Sequence, residues 1–518
     1  MSRVKSPPLA GLRSDYEIAK QGGRFRRKRN GVSGVGTSGD YHFKNESSWL
    51  YSIEYARDLD RNDQVAGMVV DRFVDNILQE SGITPDPASG DENADAFIRD
   101  MWWRWTSDED ACDLAGEMKF AQIERMVLRS ALVDGDILPI GTDGGQLEIM
   151  ESHRCRTPTN SRKNIVYGVE LDQNRRRLSY YFTKDDISTN RVVRKVSDTV
   201  PVPARDEDGF RQVFHVFDPN RVSQTRGVSC FSRVADALGM HDDIQFANLV
   251  RQQIASCFAI IRKKKSAGGP LTSGGAYGEK TTESTSGYTR TLENISPGME
   301  ISTEPGEEID GFSPDVPNPQ FFEHVYLILK LISANLGIPL HAVLLDASQT
   351  NFSGWRGAHD QAKAGYRRVQ NWLIDKFHQR VYEWKVRQWL VEYPELAAWG
   401  NQKGVDLTYC IWRRPGWDYI QPVQDVTADA AKVASWLSTL RRIHAAKGLE
   451  YDEIIPEGVR DNANLIRLCI EAARSLNENA QDDSELVTWR DVFALPGKIN
   501  ISMAASADPD QFGGAQNA

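Results

Sequence analysis

Between Trp355 and Tyr393 the chain repeats apolar residues at helical spacing for nearly forty positions without a single proline. At 1.5 Å per residue that is a helix about 55–60 Å long. The stripe runs through Ala358, Ala362, Val369, Trp372, Leu373, Phe377, Val381, Trp384 and Trp389. No heptad pattern accompanies it, so a coiled coil does not explain its length. A helix this long outside a coiled coil spans from one layer of an assembly to another. It is the strongest constraint on what this chain can fold into.

The rest of the composition bounds the class. A chain of 518 residues allows roughly three or four domains. With 40% hydrophobic and 26% charged residues it has material for a sizeable core, which excludes wholesale disorder. There are 62 Lys and Arg against 72 Asp and Glu, a net charge of −10. A protein that grips nucleic acid over most of its surface is usually basic, so that reading loses ground. Six cysteines without a CxxC pair read as free thiols of a reducing compartment. Met1 to Ala10 lacks the apolar core of a signal peptide, and the richest apolar run, Val325 to Leu345, is interrupted by polar residues. These features predict a chain that is cytosolic or assembled in the cytoplasm.

Along the chain, a Gly/Ser-rich stretch holding Arg24, Phe25, Arg26, Arg27, Lys28 and Arg29 reads as a solvated basic arm, 1–44. Such an arm can reach DNA or another anionic partner. Order is expected from about Asn45. Helices are predicted over Val65–Leu78, Asn93–Trp105 and Lys119–Val133. From Ile137 to Phe217 short β runs alternate with turns, one of them at Asp172-Gln173-Asn174. Helix is expected again from Val228 to Arg262, ending in the cations Arg262, Lys263, Lys264 and Lys265 at its negative pole. Gly268 to Gly287 reads as a mobile loop, with short strands around Met299 to Phe312. A helix from Pro319 to Leu336 stops at Gly337 and Pro339, and Pro339 to Gly354 reads as a long exposed loop. Helices over Thr427–Lys447, Glu450–Ile455 and Asn462–Asn477 and a polar tail complete the chain.

Catalytic strings are absent. There is no GxxxxGK[ST], HExxH, GxSxG or CxxC…CxxC. His241-Asp242-Asp243 is the best enzyme candidate, because adjacent His and Asp ligate metals in phosphohydrolases; its plainer reading is a polar helix face. His153 and Cys155 supply too few ligands for a four-coordinate site. His359-Asp360 is expected to face solvent or a neighbouring chain. The thirteen tryptophans read as core and interface packing. No cofactor is expected, and no enzymatic activity.

Four strings in order resemble the lambda-type portal proteins of tailed bacteriophages. They are Ala56-Arg57-Asp58-Leu59-Asp60-Arg61-Asn62, then Tyr167-Gly168-Val169-Glu170-Leu171-Asp172. His215-Val216-Phe217 follows with Arg221-Val222-Ser223-Gln224-Thr225-Arg226-Gly227-Val228-Ser229, and then Asp346-Ala347-Ser348-Gln349-Thr350-Asn351-Phe352-Ser353-Gly354-Trp355-Arg356. The likeness covers roughly residues 45 to 445.

The resemblance implies an α+β portal-type fold with a helical stem, a long spine helix, a β-rich clip and wing, and a helical crown. Transferred to this chain, it implies wing at 45–118, a stem helix at 119–136, clip at 137–217, a second stem helix at 218–265 and wing again at 266–338. It further implies a tunnel loop at 339–354, spine helix and wing at 355–414 and crown at 415–501; the polar tail at 502–518 lies outside the likeness and reads as flexible from its own residues. Ser348, Gln349, Thr350, Asn351 and Phe352 would then line a DNA channel. The implied partners are eleven further copies in a ring, double-stranded DNA, a capsid or scaffold protein, the terminase large subunit and head-completion or tail adaptor proteins. A metal-dependent phosphohydrolase and a nucleic-acid-binding regulator are the competing readings.

Overall fold

The computed structural model describes residues 46–161, 163–185, 193, 195–222, 224–256, 259–264, 280–285, 288–293, 307–312, 319–348, 350–417, 421–449, 451–477 and 488. The chain divides into two compact units, Met1–Pro415 and Gly416–Ala518.

The first unit begins with helices Glu46–Asn62, Gln64–Leu78, Glu92–Ser107 and Phe120–Val133. Two of the starts are set by carboxylates: Asp63 caps the second through bonds from the Val65 and Ala66 amides, and Asp91 caps the third. Each buries one apolar stripe, such as Val65, Val69, Val70, Val74 and Ile77 on the second and Ile123, Val127 and Leu128 on the fourth.

The expected β region forms two antiparallel sheets. In one, Asp136–Gly141 lies between Leu147–Glu151 and Val216–Phe217. In the other, Ile165–Val166, Val169–Leu171, Arg177–Thr183 and Thr199–Pro203 follow in sequence order. The predicted turn closes at Asp172, whose carboxylate accepts the Arg176 amide at 2.6 Å. Between the sheets sits a core of Leu138, Ile140, Met150, Val169, Tyr180, Phe182 and Val213.

The long helix runs unbroken from Phe352 to Glu392, with one π turn at Ile374–His378. Two rows of buried residues explain that turn. Leu373, Phe377, Val381, Lys385 and Trp389 recur every four residues, as do Gln370, Ile374, His378, Tyr382 and Val386. Four-residue spacing drifts by about 40° per step on an ideal α-helix. A turn closed by an i→i+5 bond, here from the Gln379 amide to the Ile374 carbonyl, takes up part of the drift. Both rows therefore stay inside. An aromatic cluster of Trp102, Trp105, Phe120, Phe377 and Tyr382 packs there, the Phe120 and Phe377 rings stacked 5.8 Å apart.

Three expectations fail in this unit. The helix expected to reach Arg262 is Ala235–Ser256, preceded by a 3-10 turn at Cys230–Arg233. Arg262, Lys263 and Lys264 lie instead in the strand Ala259–Lys264, so they do not compensate a helix dipole. That strand pairs antiparallel with Glu307–Phe312, in a register that sets Lys264 against Glu307 and Lys263 against Glu308. The β-branched Ile260-Ile261 favour the extended form over the helix. Second, Lys280–Thr285, expected inside a mobile loop, pairs with Tyr288–Glu293. Third, the stretch after Pro339 is not wholly irregular: Leu340–Leu344 forms a short helix.

The second unit is helical: Pro422–Ala434, Leu440–Ala446 and Tyr451–Asn477. The helix expected over Thr427–Lys447 is broken where Trp436 takes a φ of 59°. Conversely, Pro456 lies inside a helix that continues past it. Pro456 is the sixth residue of that helix, so it forfeits one i→i−4 bond, which the long remainder of the helix outweighs.

Candidate functional site

The loop before the long helix is anchored at its root and exposed at its tip. Gly337 turns the chain at a φ of 79°, and the Ile338 amide bonds back to Ser333. Ile338, Leu340 and Val343 are buried. Leu345 then caps the short helix in the left-handed region, φ 54°, an uncommon conformation for a leucine. Its side chain is 70% exposed.

Beyond it the polar residues build the entry to the long helix. The Asp346 carboxylate accepts the Ser348 amide at 2.8 Å, which draws its pKa below the ordinary range. The Thr350 hydroxyl donates to the Ala347 carbonyl at 3.0 Å, and Asn351 caps the helix by accepting the Gly354 amide at 2.7 Å. The Thr350 hydroxyl proton and the Asn351 carbonyl oxygen are thus committed locally. Phe352, 51% exposed, begins a ladder in which Trp355 stacks on it and His359 stacks on Trp355 at 5.3 Å. No Lys or Arg occurs between Gly337 and Trp355.

Elsewhere in the first unit the signature residues form a buried lock. Arg226 is 1% exposed and Asp136 fully buried. The guanidinium donates to both carboxylate oxygens, at 2.6 and 2.9 Å, and to the carbonyls of Ser152, Cys155 and Tyr167. Its face lies 4.2 Å from the Trp49 ring centroid. Asp136 also accepts the Gly227 amide at 2.9 Å and pairs with His215 Nε2 at 3.1 Å. The Ser152 hydroxyl donates to the Asp136 carbonyl and touches its carboxylate. Burial alone would raise the Asp136 pKa, but the pull of Arg226 overcomes it and holds it well below the usual range. Burial pushes His215 down to about 3, with Arg177 and Arg226 adding to it against the pull of Asp136.

The neighbouring signature positions serve the same lock. Gln224 accepts the Asn220 amide and donates to the Arg226 carbonyl, and Ser229 caps the following turn. A Cβ on Gly227 would stand 1.8 Å from the Gly135 carbonyl oxygen. From the first string, Arg57 binds Asp134 twice, at 2.8 and 2.5 Å, and Glu151 at 2.9 Å. From the second, Gly168 has a φ of 82° with Cys155 against it, where no side chain fits.

The basic arm (Arg24, Arg26, Arg27, Lys28 and Arg29), Gln349 and Lys265 lie outside the described residues. His241 is not on a polar face: it is buried, with Gln245 bonded to its Nε2 at 2.9 Å. Among the described residues no group of three His, Cys, Asp or Glu could hold a metal. His153 pairs with Glu151 at 3.1 Å, and Cys155 is buried with its thiol pushed up to about 12, chiefly by that burial. Sequence reasoning missed Asp136 and Ser152, which precede their arginine by many residues and carry no motif of their own.

This arrangement is built by packing, with its motif residues spent on holding segments together. Comparison with known proteins gives the class. The profile described as "Phage portal protein, lambda family" matches residues 52–370. The portal protein of Escherichia phage N15 is 22% identical over 420 residues, covering 72% of this chain and 75% of its own. Portal protein B of Escherichia phage lambda is 21% identical over 420 residues, covering 72% and 74%. A probable portal protein of Halomonas phage phiHAP-1 is 20% identical, covering 90% and 91%. A chain in the neck of a native gene transfer agent particle, computed with C12 symmetry, overlays with a TM-score of 0.43 at 13% identity, covering 76% and 93%. The chain belongs to the lambda family of phage portal proteins. As a portal protein it is a virion component, a conduit for double-stranded DNA and a docking platform.

Proposed function

We propose that twelve copies close into a ring through heterologous contacts, and that residues 339–354 form its constriction around the DNA. The observation that carries this reading is Leu345, strained in backbone and exposed in side chain at the mouth of a helix about 60 Å long. A subunit gains nothing of its own from such a leucine; a neighbouring copy packed on Leu344 and Leu345 would account for it. A loop without cations lets DNA slide, since a ring of arginines would hold phosphates too tightly.

Within this reading the stem and clip fall differently from the sequence transfer. The Phe120–Val133 helix and the wholly buried strand Asp136–Gly141 pack into the interior of the first unit, Trp384 lying against Gly141 and Phe214. That is the behaviour of a wing body. The helices Ala235–Ser256 and Pro319–Leu336 expose Phe246, Leu249, Phe322, Leu327 and Leu331, and two small sheets lie between them in sequence. We assign these helices to the stem and residues 257–318 to the clip. The helical second unit is assigned to the crown. The terminase large subunit and the adaptor proteins are expected on the clip, and capsid or scaffold protein on the wing.

The test is a Thr350→Cys variant assembled into particles, imaged by negative stain and treated with a photoactivatable crosslinker on channel-bound duplex. Rings that crosslink at Thr350→Cys are the expected result. Rings that label only from the outer rim would refute the loop's placement, and monomers under all assembly conditions would refute the ring.

A further inference from the structure

Well away from the loop, the first unit carries an arginine-lined cleft. Arg175, Arg176 and Arg177 come from the turn and start of one strand, and Arg205 and Arg211 from the two arms of a neighbouring hairpin. They surround a cavity of about 570 Å³ whose lining contains no Asp or Glu among the described residues. Arg380 stands beside it on the long helix, in an adjoining cleft that shares Arg205 and Arg211 and brings the acids Asp375 and Glu383. From Asn351 to Arg380 is about 43 Å along that helix, so the cleft is distinct from the proposed constriction.

Arg177, Arg205 and Arg380 spend their bonds on neutral acceptors. The Nε of Arg177 is buried with no hydrogen-bond partner, although its Nη2 reaches the Thr225 carbonyl at 3.2 Å. Arg205 donates to the Gly209 carbonyl and Arg380 to that of His215. The group also repels itself. Burial, then Arg211 and Arg177, lower Arg380 to about 10, and burial, then Arg205, lower Arg211. Lys376 is lowered by burial and then by Arg380. A fold that holds like charges together against this cost leaves room for a counter-anion.

We infer that this cleft binds a phosphate group. A planar carboxylate is satisfied by one guanidinium fork. Guanidinium groups arriving from separate elements match the tetrahedral oxygens of a phosphate, and the charge count calls for a multiply charged anion. The phosphate can come from a nucleic-acid backbone or from free polyphosphate; the chemistry recognised is the same. The inference does not depend on ring formation or on the placement of the loop.

The experiment is titration calorimetry of the full chain with pyrophosphate at fixed ionic strength, against sodium chloride as control. Saturable binding is expected, weakened at least about tenfold in an Arg205→Gln/Arg211→Gln variant, the loss of one charge-assisted contact or more. Both arginines keep part of their surface open to solvent, and among the described residues neither holds a carboxylate in place, so the variant should keep its melting temperature, and its circular dichroism verifies that it is folded. Displacement of pyrophosphate by a short duplex would identify the source as a nucleic-acid backbone; binding without displacement would identify free polyphosphate. No heat above the chloride control, equal affinity in the folded double variant, or stronger competition by an acidic peptide than by pyrophosphate would each overturn the phosphate site.

Discussion

Arg226 shows at the scale of one residue how a family signature can be wholly structural. Among the fully buried side chains of the described residues only Trp49 is larger. One guanidinium ties the strand start at Asp136 to the carbonyls of Ser152, Cys155 and Tyr167, which with it make up three separate stretches of backbone. Replacing it with alanine strands a buried carboxylate, and a loss of about 3–5 kcal/mol is expected in urea unfolding. A loss below about 1 kcal/mol would mean that water readily replaces the guanidinium. His215 adds a pH signature. Folded, it takes up a proton only near pH 3; unfolded, near its ordinary 6.5. Between those values the unfolded chain binds more protons, so stability falls as pH drops from about 6.5 toward 3. Unfolding midpoints measured across that window should fall less steeply in a His215→Asn variant.

At the scale of the element, the long helix is shaped by what it must bury. Its stripe includes Lys385, 8% exposed, whose ammonium donates to the Gly145 carbonyl at 2.9 Å and lies within 5.7 Å of the centroids of Trp105, Trp384 and Trp389. Burial lowers its pKa to about 8. The unfolded chain keeps that proton up to about 10.5, so this group makes stability rise with pH between about 8 and 10.5. A Lys385→Met variant should lose that rise while keeping the stem of the side chain packed. An unchanged slope in thermal melts across the window would assign the titration to another group.

At the scale of the molecule, charge and anchoring bear on assembly. The net charge of −10 per chain makes the proposed ring of twelve strongly acidic, which favours a sliding conduit over a DNA clamp. The basic arm is expected to be dispensable for closure, because the first helix is held at its very start. Glu46 accepts Arg156 Nε at 2.9 Å and the Thr157 amide at 3.1 Å. A chain lacking residues 1–40 keeps that anchor, and size-exclusion chromatography with negative stain should still find rings. Their absence would make the arm an assembly element.

Periodicity sufficed to read the three helices between Val65 and Val133, the β region, the helix stop at Gly337 and the length of the long helix, because burial on one face leaves its period in the residues. Motif order sufficed for the family. Other features rested on partners far away in sequence. The extended form of Arg262–Lys264 exists because Glu307–Phe312 pairs with it, and a basic run next to a helix carries no trace of that partner. Asp136 became the centre of the lock only when folding brought Ser152, His215 and Arg226 to it. In the loop, sequence identified Thr350 and Asn351 as polar and exposed, but not that their hydroxyl proton and carbonyl oxygen are spent on the helix entry. Local pattern records which face of an element is buried. Which distant group satisfies a buried charge, and which exposed one is left without a counter-ion, is decided only when the elements meet.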